Sequence, residues 1–272
     1  MNPDRIYRQY RDDALAGQIT ASSYTTFVAM PFGEQFSYRS REVYSEVVCK
    51  AAERANEKGG TRRNFDQPTR VDDRGGTARV LSEEIIVKIL ESHIFLADLT
   101  FENTNVLLET GVAFGMKPNP QIILITQGKL SDLSFNIRNN NVLEYNSGGS
   151  VDAIANALIQ AADAFEADQE KYISSVTRRL TPDAIICLKR YAEFQQKHWA
   201  NSLHAENAGN IFPGDRAYER FEAGSRDLLH AGLIWTDWKV KAINGNDAFG
   251  MHATELGWAV IGHLWNLAKP SR

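Results

Sequence analysis

Two runs of sequence, HIFLADLT (93 to 100) and QIILIT (121 to 126), are apolar almost end to end and lie on either side of one helix-length segment. A strand that is apolar on both faces must be covered on both, and a sheet with one wet face does not allow that. Such strands belong to parallel sheets with helices packed on each side. The rest of the first half follows the same grammar. TTFVAM (25 to 30) is a β-rich run stopped by Pro31 and Gly33, VLEY (142 to 145) is a shorter one, and TRVDDRGG (69 to 76) reads as a strand end entering a loop. Between them, apolar residues keep helical spacing from Ser40 to Glu57, over 77 to 92, over 103 to 116 and over 150 to 165, with Ser150 as an N-cap. The alternation predicts an α/β fold with a parallel sheet of about five strands and helices on both faces.

The whole-chain properties narrow the setting. With 43% apolar and 24% charged residues over 272 positions, the composition is that of a globular protein, and the net charge of −4 gives no global pull toward nucleic acid or an anionic membrane. Cys49 and Cys187, the two cysteines, sit far apart in apolar helical patterns, as thiols do in a reducing compartment. No apolar run approaches the ~18 residues of a membrane span. These features lead us to expect a cytoplasmic protein without a membrane partner.

After about residue 171 the grammar changes. Thr181 and Pro182 cap and open a helix over 181 to 194, residues 215 to 234 contain another, WTDWKVKAINGNDAFGMHAT looks like a hairpin turning at Asn244-Gly245, and ELGWAVIGHLW is a last helix. Helices followed by a hairpin resemble a winged-helix module, so the expected organisation is an extension over 1 to 24, a first domain over 25 to 170 and a smaller, mainly helical winged-helix-like domain over 171 to 272. From Leu180 onward ten Lys and Arg balance ten Asp and Glu, and all five tryptophans lie in this third of the chain. Phosphate-binding surfaces usually carry a basic excess. Self-association or a protein partner is therefore the preferred role for this domain, with DNA the less favoured one.

In an open α/β sheet the site lies outside the carboxyl ends of the strands. One residue there breaks its local pattern. In NTNVLLETGVAFGM (103 to 116) the apolar positions Val106, Val112, Ala113 and Met116 recur at helical spacing, and Glu109 stands among them. A carboxylate at a stripe's edge can simply reach water or pair with a base. Here, however, Asp98 ends the strand before it, Asn103 and Asn105 supply turn and cap chemistry, and Gly111 and Gly115 each cost about 1 kcal/mol relative to alanine, so something approaches closely, a helix or a ligand. Asp98 could equally cap the following turn, Asp72 and Asp73 could be solvated, and MPFG could be no more than a tight turn. Together these carboxylates suit an anomeric carbon, whose transition state carries positive charge that a carboxylate can stabilise or attack. The six histidines show no metal-ligand spacing, and P-loop and nucleophile-elbow motifs are lacking.

FVAMPFGEQF, RVDD, ADLTFENTNVLLETGVAFGM and ILITQGKLSDLSFNIRNNNVLEY, in that order and spacing over roughly residues 25 to 146, resemble the bacterial nucleoside 2-deoxyribosyltransferase-like and TIR-like nucleotide-binding domains. The most specific piece is ADLT with the following N.NV..E.G.A. The resemblance implies a flavodoxin-like sheet that binds a nucleoside or nucleotide and, in active members, cleaves the bond between base and sugar. It makes Glu109 the catalytic glutamate and Asp98 a strand-end aspartate near the sugar. It sets Asn105 at the opening of the catalytic helix, Asp72 in an acidic ligand loop, and Met30, Phe32 and Gly33 near the base or ribose. Arg138 falls where the family places an arginine that holds the last strand. It also implies NAD or a nucleoside as substrate rather than cofactor, a hydrolase or transferase, and a place in bacterial antiviral defence. Where the family has an aromatic residue before the glutamate and leucine after it, this chain has Leu108 and Thr110. Such a change fits either an altered base preference or a domain that binds its nucleotide without turnover.

Overall fold

The computed structural model describes residues 23 to 35, 38 to 60, 63 to 70, 83 to 145, 150 to 198, 211 to 241 and 247 to 267. The chain divides into two compact units between Asp168 and Gln169.

The first unit is built on a five-stranded, all-parallel sheet: β1 (Thr26–Ala29), β2 (Thr69–Arg70), β3 (Ile94–Asp98), β4 (Ile122–Thr126) and β5 (Val142–Glu144), in the order β2-β1-β3-β4-β5. This α/β arrangement is consistent with a flavodoxin-like fold, in which the order reverses beside β1. Alternation along the strands assigns each side chain to a face. Val28, Ile94, Leu96, Ile123 and Ile125 join one core with the first helix, α1 (residues 40 to 59), and with the first half of α5 (Val151–Arg179). Phe27, Ala29, Phe95, Ala97 and Leu124 join another with α2 (Glu83–Glu91) and α3 (Thr104–Met116). Every residue of β1 and β3 is buried, because both faces are covered.

The first helix, α1, runs as Ser40–Val43, a π-helical Tyr44–Cys49 and Lys50–Gly59, and buries Val43, Val47, Val48, Ala51, Ala52 and Ala55, the row expected from spacing. The strand ending expected at RVDD is seen as Thr69–Arg70, and its loop, including Asp72, lies outside the described residues, as does the first part of the helix expected over 77 to 92. At the opposite end of the sheet Arg63 bonds Asp163 and Glu166 of α5, and Tyr24 donates to Glu166 over 2.5 Å.

The helix expected over 150 to 165 continues to Arg179. Nothing after Phe165 stops it: EADQEKYISSVTRR has no glycine or proline, and Pro182 is the first breaker. Its hydroxyl-bearing neighbour Ser150 donates to Glu144 O over 3.1 Å.

The second unit holds α6 (Pro182–His198), α7 (Ala217–His230), the antiparallel strands β6 (Ile234–Lys241) and β7 (Asp247–Ala253), and α8 (Glu255–Trp265). Thr181 Oγ1 accepts from Ala184 N at 3.3 Å, the cap expected there, and Thr254 does the same for Gly257 N at 3.0 Å. Cys187, Leu188, Tyr191, Phe221, Leu228 and Trp258 are among its core residues, whereas Trp235 is 50% exposed and stacks on His252 with ring centroids 4.0 Å apart. The turn expected at Asn244-Gly245 lies outside the described residues. Among the described residues no helix is long and apolar enough to cross a membrane.

Candidate functional site

The last residue of β3, Asp98, is 0% exposed. Burying a carboxylate is costly unless its oxygens are satisfied, and here four donors converge on them. Oδ1 accepts from Thr100 N at 3.1 Å and Thr100 Oγ1 at 2.5 Å, and Oδ2 accepts from Tyr145 at 2.6 Å and Tyr38 at 3.0 Å. Burial pushes the Asp98 carboxyl above the usual carboxylate range, and the hydrogen bonds from Thr100, Tyr145 and Tyr38 pull against it. Burial and the adjacent Asp98 push both phenols upward, which keeps them as donors. Tyr38 comes from a short antiparallel pairing, Glu34–Gln35 with Tyr38–Arg39, and Tyr145 follows β5. Asp98 thus ties the first loop, the β3 end and the last strand together.

The chain then makes a strained turn. Phe101 (φ 65°) and Glu102 (φ 46°) are consecutive non-glycine residues in the left-handed region, at a cost of about 1–3 kcal/mol each. Both sides are pinned. Thr100 is bound to Asp98, Glu102 Oε1 accepts from Ser134 N at 2.5 Å, and Asn103 Oδ1 caps α3 by accepting from Asn105 N at 3.0 Å and Val106 N at 3.4 Å. Phe101 is 46% exposed and meets Tyr38 edge to face, with centroids 5.7 Å apart.

On α3 the buried row is Val106, Thr110 and Ala113, with Thr110 Oγ1 returning to Val106 O at 2.6 Å. Val112 and Met116 are only partly buried, so the core-facing stripe is rotated from the one read in sequence, and Glu109 flanks it. Glu109 is half-buried and makes no side-chain hydrogen bond or ion pair among the described residues. Burial alone pushes its carboxyl up from 4.5 to about 7. A carboxyl poised there exchanges protons at neutral pH, the property that acid–base and nucleophilic sites require.

The other expected site residues are placed as follows. Met30 is 3% exposed and belongs to the core, so its side chain is not presented to a ligand. Phe32 is 50% exposed. Gly33 has φ 83° and would meet nothing within 4 Å if given a Cβ, so the turn rather than close packing requires glycine. Asn105 is exposed. Gly111, read as a point of close approach, also has nothing within 4 Å among the described residues, so no described helix explains it. Asp98 and Glu109 share no hydrogen bond. Tyr38, Thr100, Tyr145 and Phe101 were not singled out in sequence; their partners are far away along the chain, and only the polar strand-end position of Thr100 hinted at its role.

Among the described residues of the first unit, two hollows bear on the site. One, of about 400 Å³, lies at the carboxyl ends of β3 and β4 between Thr100, Phe101, Thr126, Gln127, Lys129 and Leu133. The larger groove, of about 640 Å³, lies around the amino ends of β4 and β5, with Asn119, Asn139, Asn141, Gln160 and Phe114 on its walls. The smaller one occupies the position where ligands bind in open α/β sheets. Among the described residues no group of His, Cys, Asp and Glu is placed to hold a metal ion.

Fold and site together define an α/β protein with flavodoxin-like strand order and a titratable glutamate on the helix that follows the central strand. Compared with family models, curated proteins and solved structures, the chain matches none.

Proposed function

We propose that this chain cleaves or transfers the N-glycosidic bond of a nucleoside or nucleotide, with Glu109 as the carboxylate that attacks or stabilises the anomeric carbon. The observation that carries this reading is Glu109 itself: half-buried, unpaired among the described residues and shifted to about 7 by burial. The ionised form attacks C1′, and the C1′–N bond breaks with its electron pair going to the base nitrogen, which takes up a proton. Water then displaces Glu109 from C1′, loses its own proton and leaves a free sugar; a second base in place of water gives transfer. Asp98 acts as a positioning residue, since all its near donors are intramolecular. By the resemblance stated above, the exposed Phe32 and Asn105 border the ligand, and Asp72 is the acidic residue expected beside them. NAD and nucleosides are the substrates to test, and no cofactor is required by this chemistry.

A second reading, a nucleotide sensor without turnover, is favoured by the sealing of Asp98, which takes that carboxylate out of a mechanism that pairs it with Glu109. Ligand-induced thermal stabilisation separates the two. Stabilisation with base release selects the enzyme; stabilisation by the same ligand without release, in wild type and in Glu109→Gln alike, selects the sensor.

For the second unit we propose a winged-helix-like module that serves self-association or a protein partner. Its order of helix, helix, hairpin and helix supports the first part. Its charge balance and the exposed Trp235 on His252 support the second over DNA. Free thiols at Cys49 and Cys187 accord with a cytoplasmic setting.

A further inference from the structure

The strained turn after β3 holds a large apolar ring 46% exposed at the carboxyl end of the sheet. A chain that needed only to connect β3 to α3 would place glycine or asparagine at these left-handed positions and keep a phenylalanine inside. Here the surrounding bonds over-determine the turn, and the ring it presents forms one wall of the 400 Å³ cleft. Gln127, which also lines the cleft, is fixed by the same anchor. Gln127 N donates to Thr100 Oγ1 at 2.9 Å, and Gly128 N to Thr126 Oγ1 at 3.2 Å, so the loop after β4 is tied to the hydroxyl that binds Asp98. The Gln127 carboxamide makes no hydrogen bond among the described residues. The charged side chains at the cleft are Glu102, Asp132 and Lys129, an acidic balance that disfavours a phosphate there.

An aromatic face stacks planar rings, a free carboxamide reads the donor and acceptor pattern on a ring's edge, and an acidic rim repels phosphate. We propose that this cleft is the subsite for a nucleobase, stacked on Phe101 and read at its edge by Gln127, with the sugar and any phosphate directed away from it. The inference rests on the glycosidase reading for its reaction, but the binding subsite stands or falls separately.

Calorimetric titration of the full chain carrying Glu109→Gln, with adenosine, guanosine, cytidine, thymidine and free ribose as probes, tests it. At least one nucleoside binds and ribose does not. Phe101→Ala weakens that nucleoside by about tenfold or more, Gln127→Ala by several-fold, and Phe101→Trp keeps it within about threefold. Phe101→Asn relieves the left-handed strain, so it melts no lower than its parent while losing the same affinity, which separates loss of the ring from loss of the fold. Unchanged affinity in Phe101→Ala and Phe101→Asn overturns the proposal, as does ribose binding as tightly as any nucleoside, or no nucleoside binding at all. Base release that needs Glu109 but ignores Phe101 removes the subsite and keeps the glycosidase. Nucleoside binding through Phe101 with no base release by the wild type does the reverse.

Discussion

Tyr145 donates its phenol hydrogen to Asp98 over 2.6 Å, joining the residue after the edge strand β5 to the end of the central strand β3. The bond lies inside the first unit, where both residues are at most 1% exposed. Tyr145→Phe leaves Asp98 one donor short, and we expect a loss of about 1–3 kcal/mol in urea unfolding. Asp98→Ala strands Tyr38, Thr100 and Tyr145 together and costs more, roughly 3 kcal/mol or above. An Asp98→Ala protein as stable as the wild type would show that this hub does not hold the strand ends.

Glu109 couples stability to pH. Its folded value of about 7 lies above the ordinary 4.5, so the folded state favours the neutral acid. The group costs nothing below pH 4.5; the cost grows as pH rises through the window from 4.5 to 7 and is full above it, on the order of 2 kcal/mol after allowance for solvent. Glu109→Gln should therefore melt higher than wild type at pH 8 and close to it at pH 4.5. An equal difference at both pH values would place Glu109 in water. The same titration requires catalysis by the ionised carboxylate to rise with pH through about 7.

Lys117 presents the opposite sign. It follows α3, is 9% exposed, and donates through Nζ to Ser92 O. Burial lowers it from 10.5 to about 7, so the folded state is penalised for the charge below pH 7, and the penalty lifts as pH rises from 7 toward 10.5. Lys117→Met removes the charge and leaves Ser92 O without this donor. We expect the variant to gain on wild type by on the order of 3 kcal/mol at pH 6 and to lose most of that advantage by pH 10, as read from paired melting curves. A difference that stays constant with pH contradicts it.

In the second unit, α6 and α7 approach at Gly224, where a Cβ would sit 2.7 Å from Asp183 O and 2.9 Å from Cys187 Sγ. Backbone cannot yield as a side-chain tip can, so Gly224→Ala forces the helices apart. A loss of about 2–4 kcal/mol is expected. Gly111→Ala, on an open helix face, is expected to stabilise by up to about 1 kcal/mol. Thermal denaturation of both variants checks the contrast.

The sheet was legible because its strands are apolar on both faces; HIFLAD and QIILIT state their own burial. The partial burial of Glu109 was legible because it breaks a helical stripe, although Thr110 rather than Val112 turned out to complete the buried row. Long-range partners were not. Nothing near Tyr38 or Tyr145 in sequence announces that both reach Asp98, so an aspartate read as facing a ligand is satisfied by its own chain. The left-handed Phe101 was equally hidden, because residue preferences place glycine or asparagine there and tertiary bonds override them. The length of α5 was misjudged for a local reason: the pattern of apolar residues weakens after Phe165 while helix-forming residues continue.

The function proposed for Glu109 is cleavage of a base-to-sugar bond. The most direct test is chromatography of wild type and Glu109→Gln incubated with NAD, NADP, nucleosides and deoxynucleosides at low and high protein concentration. Wild type is expected to free a base from at least one of them, and Glu109→Gln to free it at least a hundredfold more slowly, about 2.7 kcal/mol of transition-state stabilisation. Equal release by both proteins, or no release by wild type at any concentration from any of these compounds, contradicts it.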